Sequence, residues 1–387
     1  MRILLNATIP YGGGAVQVAV NFILNTLKYG EDEWFYALSN EVNAALISAY
    51  ISLPKKNTLV VDQRPSKIIG GKKIKKEILE FEQKHCVDLV YSIGSPSYIY
   101  FKAIEVQRLT NPYIINPNKY AYYTYTFSQR FLRLLKSIYQ KRALKKCHYY
   151  VTQTNNAKYN ISRRLSVDQN DVFVVPNAVS EIFYNIKPTA FSNRQNNIFC
   201  LSAAYPHKNL HKVPYVIKYL KDIVKDRCHF RFIFTLDKNS VEYKNIMKLS
   251  QKLGVDKQII NLGKITQEEC ANIYNQSKVT FLPTYLEVFS ATLIESMFMK
   301  TPIVTTNFDF NKSIAKDVAF YFDPEDWYAA AKHINYILEN GVEVSPHIQS
   351  GYLLMKNFPS SLECFKMTMQ ILRFVFEKEI NNKQQEP

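Results

Sequence analysis

The stretch Pro283-Thr284-Tyr285-Leu286-Glu287-Val288-Phe289-Ser290-Ala291-Thr292-Leu293-Ile294-Glu295 joins an apolar, strand-like run, Val279 to Leu282, to an apolar helical pattern. Its two carboxylates stand eight positions apart, one in the strand-to-helix turn and one in the first turns of the helix. Such a turn suits a polyhydroxylated, phosphorylated ligand. Carboxylates accept hydrogen bonds from sugar or ribose hydroxyls, while the unpaired N–H groups and dipole of a helix start stabilise phosphate. A plainer reading stands beside it. Thr292-x-x-Glu295 also fits a capping box, with Glu295 satisfying a helix-start donor and Glu287 a solvated loop charge.

Outward from this turn, strands and helices alternate in both directions. Towards the N-terminus, Arg2 to Ala7, Trp34 to Leu38, Thr58 to Val61, Asp88 to Ser92, His148 to Thr152 and Val172 to Val175 read as strands. Helical patterns lie at Ala15 to Lys28, Val42 to Ala49 and Ile74 to His85. Closer to the turn come strand Ile198 to Leu201, helix Leu210 to Ile223, strand Phe230 to Thr235, helix Val241 to Leu253, strand Gln258 to Asn261 and a helix capped by Thr266-x-x-Glu269. Beyond it, Pro302 to Thr305 is a strand, Asp323-Pro324 reads as a helix N-cap with proline at the first position, and Asn340-Gly341 ends that helix. Strand, helix, strand in this order implies parallel sheets covered on both faces, hence an α/β fold.

A chain of 387 residues exceeds one ordinary core, and two doubly wound domains are expected. Residues 1–185 form the first and residues 186–360 the second, with the polar stretch Asn185 to Asn197 as the linker. Residues 361–387 are expected to form a helix crossing back to the first domain, with a frayed polar tail from Asn381.

Composition narrows the function. The apolar runs fall far short of the roughly 18 residues of a membrane span, and the N-terminus lacks a signal peptide's apolar region and cleavage site. The six cysteines are scattered without a CxxC pair, which points away from zinc and towards a reducing, cytoplasmic compartment. The formal charge is +16, with the excess in residues 1–185, where 24 Lys and Arg face 13 Asp and Glu. Lys119 to Tyr150 holds eight Lys and Arg and no acid, and Phe131, Leu134, Leu135 and Ile138 recur there at helical spacing. A basic amphipathic helix can lie on the anionic inner leaflet of a membrane, hold a phosphorylated partner, or be a domain helix with a solvated basic face. No nucleic-acid-binding motif accompanies the charge, so no nucleic-acid partner is expected.

In parallel α/β domains, ligands meet the carboxyl ends of the strands. Three segments qualify: Pro10-Tyr11-Gly12-Gly13-Gly14-Ala15, where Gly12, Gly13 and Gly14 admit an anion to a helix start; Ala203-Ala204-Tyr205-Pro206-His207-Lys208-Asn209-Leu210, where Lys208 is a phosphate counter-charge; and the carboxylate turn itself. His207 and His211, four apart, raise a metal reading, but no third ligand stands nearby at suitable spacing. Gly-x-Ser-x-Gly, HExxH, Walker and kinase motifs are absent, which removes hydrolase, protease and P-loop readings.

The run Glu287 to Val304 resembles the E-G-F-G-L-P-x-x-E-A-x-A-x-G-x-P-V-V signature of family 4 glycosyltransferases of the GT-B type. Val174-Val175-Pro176-Asn177-Ala178-Val179 resembles that family's viPNGvd hinge strand, the glycine turn with AVQVAVNFI its first helix, and Val318 to Pro324 its a.lfdp.d segment. The resemblance implies two Rossmann-like domains facing a cleft, with a nucleotide sugar held by the second and an acceptor by the first. It implies that Glu295 holds the donor's ribose, Glu287 the donor sugar's hydroxyls and Lys208 the diphosphate, with Phe289, Ser290, Ala291 and Thr292 against sugar and phosphate. Such enzymes retain anomeric configuration and need no metal, Lys and backbone N–H groups neutralising the leaving diphosphate. This chain departs from the pattern at Val288 and Ser290, where the family has glycines, and at Ala203, where it often has Arg. Phosphate then leans on Lys208, His207 and the Gly12 to Gly14 turn. The family's first-domain histidine has no counterpart, and Arg108 and Asn111 are the acceptor-side candidates.

The expected function is therefore a cytoplasmic, retaining, metal-independent hexosyltransferase, peripheral on the inner face of the plasma membrane. Its acceptor is a saccharide, in particular a lipid-linked precursor of bacterial surface polysaccharide such as O-antigen, lipopolysaccharide or capsule. The alternatives are a GT-B sugar-nucleotide epimerase or phosphorylase and, outside enzymes, a basic membrane- or nucleic-acid-binding module.

Overall fold

The strands β1 Arg2–Ala7, β2 Glu33–Ser39, β3 Thr58–Val61, β4 Leu89–Ile93, β5 Ile104–Arg108, β6 Tyr149–Thr152 and β7 Val172–Val174 are short, apolar except for β5, and separated by helical stretches except between β4 and β5, a pattern that favours parallel pairing. They form one seven-stranded sheet in the order β3-β2-β1-β4-β5-β6-β7, every pair parallel. A second, six-stranded parallel sheet has the order β10-β9-β8-β11-β12-β13, built from β8 Gln195–Cys200, β9 Arg231–Phe234, β10 Ile259–Asn261, β11 Ser277–Leu282, β12 Ile303–Thr306 and β13 Phe320–Phe322. This computed structural model describes residues 1–201, 203–225 and 227–385.

Alternation along each strand sends residues to opposite faces, and both faces are covered. In the first sheet Ile3, Leu5, Trp34, Tyr36 and Tyr91 enter one core while Leu4, Phe35, Ala37 and Val90 enter another. In the second, Ile198, Cys200, Phe232, Phe234 and Phe281 lie on one side and Phe199, Ile233 and Leu282 on the other.

The chain separates into two compact units. The first comprises Met1–Ile115, Arg133–Pro176 and the segment from Ser361 onward; the second comprises Asn116–Leu132 and Asn177–Ser360. The changeover thus falls at Pro176, before the polar stretch Asn185 to Asn197, and β8 already begins at Gln195. Helix Ser361–Gln385 presents Phe365, Met369, Leu372 and Val375 at helical spacing to the first unit's core. It is helical through Gln385, and Glu386 and Pro387 of the expected frayed tail lie outside the described residues.

Several local readings change. The helix after β13 starts at Trp327 with Asp326 as its N-cap, accepting from Ala329 N at 2.9 Å, so Asp323-Pro324 lies one turn upstream as a loop. Asn340 does end that helix as its C-cap, and a further helix, Gly341–Met355, follows it directly. Strand β5 carries Glu105, Gln107 and Arg108 in five residues, which hid it from a hydropathy reading. No helix among the described residues is long and apolar enough to cross a membrane.

Candidate active site

In each sheet the strand order reverses direction once, between β1 and β4 in the first and between β8 and β11 in the second. Crevices at such switch points receive ligands, because the loops leaving the two central strands part in opposite directions. Lys208 follows β8 and Glu287 follows β11. The two loops are tied together by backbone: Tyr285 N donates to His207 O at 2.8 Å, and the buried Asn209 side chain donates to Pro283 O at 3.3 Å. With the loops held so, Lys208 Nζ donates to Glu287 Oε1, a half-buried ion pair at the switch point. Two residues that the sequence reading missed support the carboxylate turn from below. Asn116 Nδ2 donates to Glu287 O and Asn118 Nδ2 to Tyr285 O, each at 2.7 Å. Their signal was the Asn116-Pro117-Asn118 punctuation, which carries no chemistry until the fold brings it beneath the turn.

Helix Ala291–Phe298 begins with Ser290 as N-cap and no side-chain cap bond. Thr292 therefore lies inside the helix and Glu295 beyond its first turn, and the capping-box reading of Thr292-x-x-Glu295 does not hold. A true capping box forms at Thr266 and Glu269, as expected there. Glu295 instead faces Tyr274, whose hydroxyl donates to it at 3.0 Å. Burial pushes the Glu295 carboxyl up to about 7, an effect that this single hydrogen bond only partly offsets. Val288 and Ser290, where the resembling family has glycines, are both buried, and neither has positive φ. The turn therefore does not require glycine's conformational freedom. Phe289 is buried in the core beneath the turn, Ser290 is buried, and Ala291 is exposed at the helix start, with Thr292 partly covered.

His207 and His211 belong to separate 3-10 turns, Pro206–Lys208 and Leu210–Lys212, divided by Asn209 at φ 59°. The helical i, i+4 geometry that favoured a metal is therefore broken. His207 stacks on Tyr205 at 5.6 Å, and burial lowers His211 to about 4. Among the described residues no group of three or more His, Cys, Asp and Glu side chains gathers as a metal site would require.

The remaining predicted residues lie in the first unit. Gly12, Gly13 and Gly14 are exposed at the start of helix Gly13–Tyr29, which has no side-chain cap and no acid in its first turn. A Cβ at any of the three would meet no atom within 4 Å, so this helix end is open. Arg108 is buried in β5. Asn111 accepts from Tyr113 N at 3.1 Å and donates to Gln140 Oε1 at 3.2 Å, holding the short helix Pro112–Ile115. Both of its side-chain atoms thus have structural partners.

Residues 182–350 match the family model described as glycosyl transferases group 1, which covers most of the second unit, including Lys208, Glu287 and Glu295. The chain is 22% identical over 217 residues to the O-antigen chain mannosyltransferase RfbU of Salmonella typhimurium, the match covering 55% of this chain and 57% of that protein. The chain therefore spans little more than half the length of this curated relative. A glycosyltransferase from Rickettsia africae superposes with a TM-score of 0.70 at 16% identity, covering 97% of this chain and 98% of that one. Anabaena HepE in complex with UDP and glucose superposes with a TM-score of 0.72 at 13% identity, covering 96% and 99%. The two sheets, their strand orders and these likenesses establish the GT-B fold, with two Rossmann-like domains.

Proposed function

We propose that this chain is a retaining, metal-independent glycosyltransferase of the family 4 kind, transferring a hexose from a nucleotide sugar to a saccharide acceptor. The observation that carries the reading is the Lys208–Glu287 ion pair at the β8–β11 switch point, followed by an uncapped helix start whose helix carries Glu295. These groups divide the chemistry. A leaving diphosphate would compete with Glu287 for Lys208, whose charge offsets the negative charge that builds as the glycosidic bond breaks. Glu287, released from the pair, would accept from hydroxyls of the donor sugar, and Glu295 from the ribose. Support for the nucleotide comes from HepE, whose structure contains UDP and glucose.

The acceptor is proposed to be a lipid-linked precursor of surface polysaccharide, met at the inner face of the membrane. RfbU, an O-antigen enzyme, supports this class. So does helix Phe127–Leu144, which is inside out: Phe127 is 86% exposed, and Phe131, Leu134, Leu135 and Ile138 also face solvent, while Ser137 and Leu144 are buried. The expected solvated basic face is thus accompanied by a solvated apolar one. An apolar face rimmed by Lys136 and Arg142, with no acid between 119 and 150, suits an anionic bilayer.

The test is a thermal-shift screen of UDP-, GDP-, ADP- and dTDP-sugars on the intact chain, followed by turnover assays with the stabilising donor. Ligand at 100 times its dissociation constant should add about 2.7 kcal/mol. Turnover should persist in EDTA and give product with the donor's anomeric configuration. Absence of any nucleotide-sugar binding would overturn the proposal.

A further inference from the structure

The first unit has a switch point of its own, at β1 and β4, and its chemistry differs from that of the second. Tyr11 leaves β1 beside the Gly12 to Gly14 turn, Arg64 follows β3, Tyr98 follows β4, and Tyr113 follows β5. The loops bearing these residues all leave the carboxyl ends of their strands. The Arg64 guanidinium lies 3.9 Å over the Tyr11 ring, and the Arg133 guanidinium 4.1 Å over the Tyr113 ring. Lys136 stands one turn beyond Arg133 on the same helix, a spacing that puts both on one side. Tyr98 stacks on Tyr139 at 5.7 Å, and Gln140 Nε2 donates to the Tyr98 hydroxyl at 3.3 Å, fixing this helix against the loop after β4.

Three cations are thus held near one another. Partial burial, then Arg133, then Arg64 lower the Lys136 ammonium from its ordinary range, so the charges act on each other through space. Among the described residues neither Arg64 nor Lys136 forms an ion pair; the nearby carboxylates Glu41 and Asp62 act on Tyr11 without joining either cation. Like charges at strand ends, with Arg64 and Arg133 stacked on tyrosine rings and Arg64 and Lys136 outside the ion pairs of the described residues, are arranged to receive a multiply charged anion.

We propose that Arg64, Arg133 and Lys136, walled by Tyr11 and Tyr98, bind the phosphoryl group of the acceptor. The inference rests on the glycosyltransferase reading and adds to it that the acceptor is a phosphate or diphosphate ester. The charge could be that of a lipid diphosphate or of a soluble sugar phosphate, and the three cations would meet either alike.

Calorimetry on the intact chain, saturated with whichever nucleotide stabilises it, tests this with inorganic pyrophosphate as the probe. Pyrophosphate should still bind, and Arg64→Gln and Lys136→Gln should each weaken it by about tenfold, the scale of a charge-assisted hydrogen bond. Lys136→Arg should restore most of the loss, and nucleotide affinity in all variants should stay within about twofold. Pyrophosphate binding that the nucleotide abolishes, or that is equal in parent and Gln variants, overturns the site. Farnesyl diphosphate binding that exceeds pyrophosphate binding and falls in the same Gln variants supports the site with a lipid-linked acceptor; equal binding that falls likewise supports it with a soluble one. If no nucleotide stabilises the chain, the glycosyltransferase reading fails at that step, while the pyrophosphate titration, run without nucleotide, still reports whether the cation cluster binds phosphate.

Discussion

The two switch points are built on the same plan and carry opposite chemistry. Each sets an uncapped helix, with no acid in its first turn, after a central strand: Gly13–Tyr29 after β1 and Ala291–Phe298 after β11. At the second, one lysine is paired with a carboxylate and a further carboxyl stands on the helix. At the first, two arginines stack on tyrosines, and Lys136 lies one turn along the helix from the second. Helix dipole and strand ends supply a general affinity for anions, so the side chains decide the ligand. Carboxylates beside one cation suit a ligand with many hydroxyls and one charged linkage, while cations among aromatic rings suit a ligand dominated by its charge.

The largest expected effect breaks the comparison at Lys208 in the second unit. With Ala203 where relatives of this kind often have Arg, Lys208→Ala should lower turnover by roughly a hundredfold or more, as removal of a preorganised transition-state charge does. Steady-state kinetics with the stabilising donor checks it; a loss below about fivefold would show that phosphate is neutralised elsewhere.

Glu295 sharpens the comparison, since its carboxyl is raised to about 7 whereas its proposed role needs the anion. Hydrogen bonds from ribose hydroxyls favour the ionised form, so nucleotide affinity should rise from pH 6 to pH 8. Glu295→Gln should weaken nucleotide binding by roughly 1.5 to 3 kcal/mol at pH 8 and flatten this pH dependence. Stability runs the other way. A raised carboxyl favours the folded state below its unfolded range, and that contribution is lost as pH rises through about 7. The unliganded Gln variant should therefore gain in melting temperature relative to the parent at pH 8 and not at pH 4, as calorimetric scans at the two pH values would show.

The smallest effect concerns the helix beside the first switch point. Phe131→Ser and Ile138→Ser should each reduce sedimentation with anionic vesicles by about fivefold, on the order of 1 kcal/mol of apolar burial, and leave nucleotide affinity unchanged. Equal sedimentation of parent and variants would detach the apolar face from the membrane.

Strand and helix alternation, read residue by residue, identified both sheets as parallel, because hydropathy period and loop length are local properties. The polar strand β5 escaped this reading, since Glu105 and Gln107 form their hydrogen bonds with Ser92 and Ser97 of neighbouring segments. The carboxylate turn was legible because its chemistry is carried by residue types at fixed spacing. Whether Glu295 capped a helix was not legible, because Thr292-x-x-Glu295 and Thr266-x-x-Glu269 are the same pattern and only the second begins a helix.

The sequence by itself therefore determined the period of each element, the order of strands and helices, and the residue types available after each strand. Tertiary structure alone decided which of those residues meet. Asn116 and Asn118 reached the carboxylate turn, Tyr274 reached Glu295, and Arg64 reached the Tyr11 ring, each across many residues of chain. The apolar face of helix Phe127–Leu144 followed the same division: its spacing was written in the sequence, and its exposure was not. Periodicity states which side chains share a face, but the direction of that face depends on what every other element leaves uncovered.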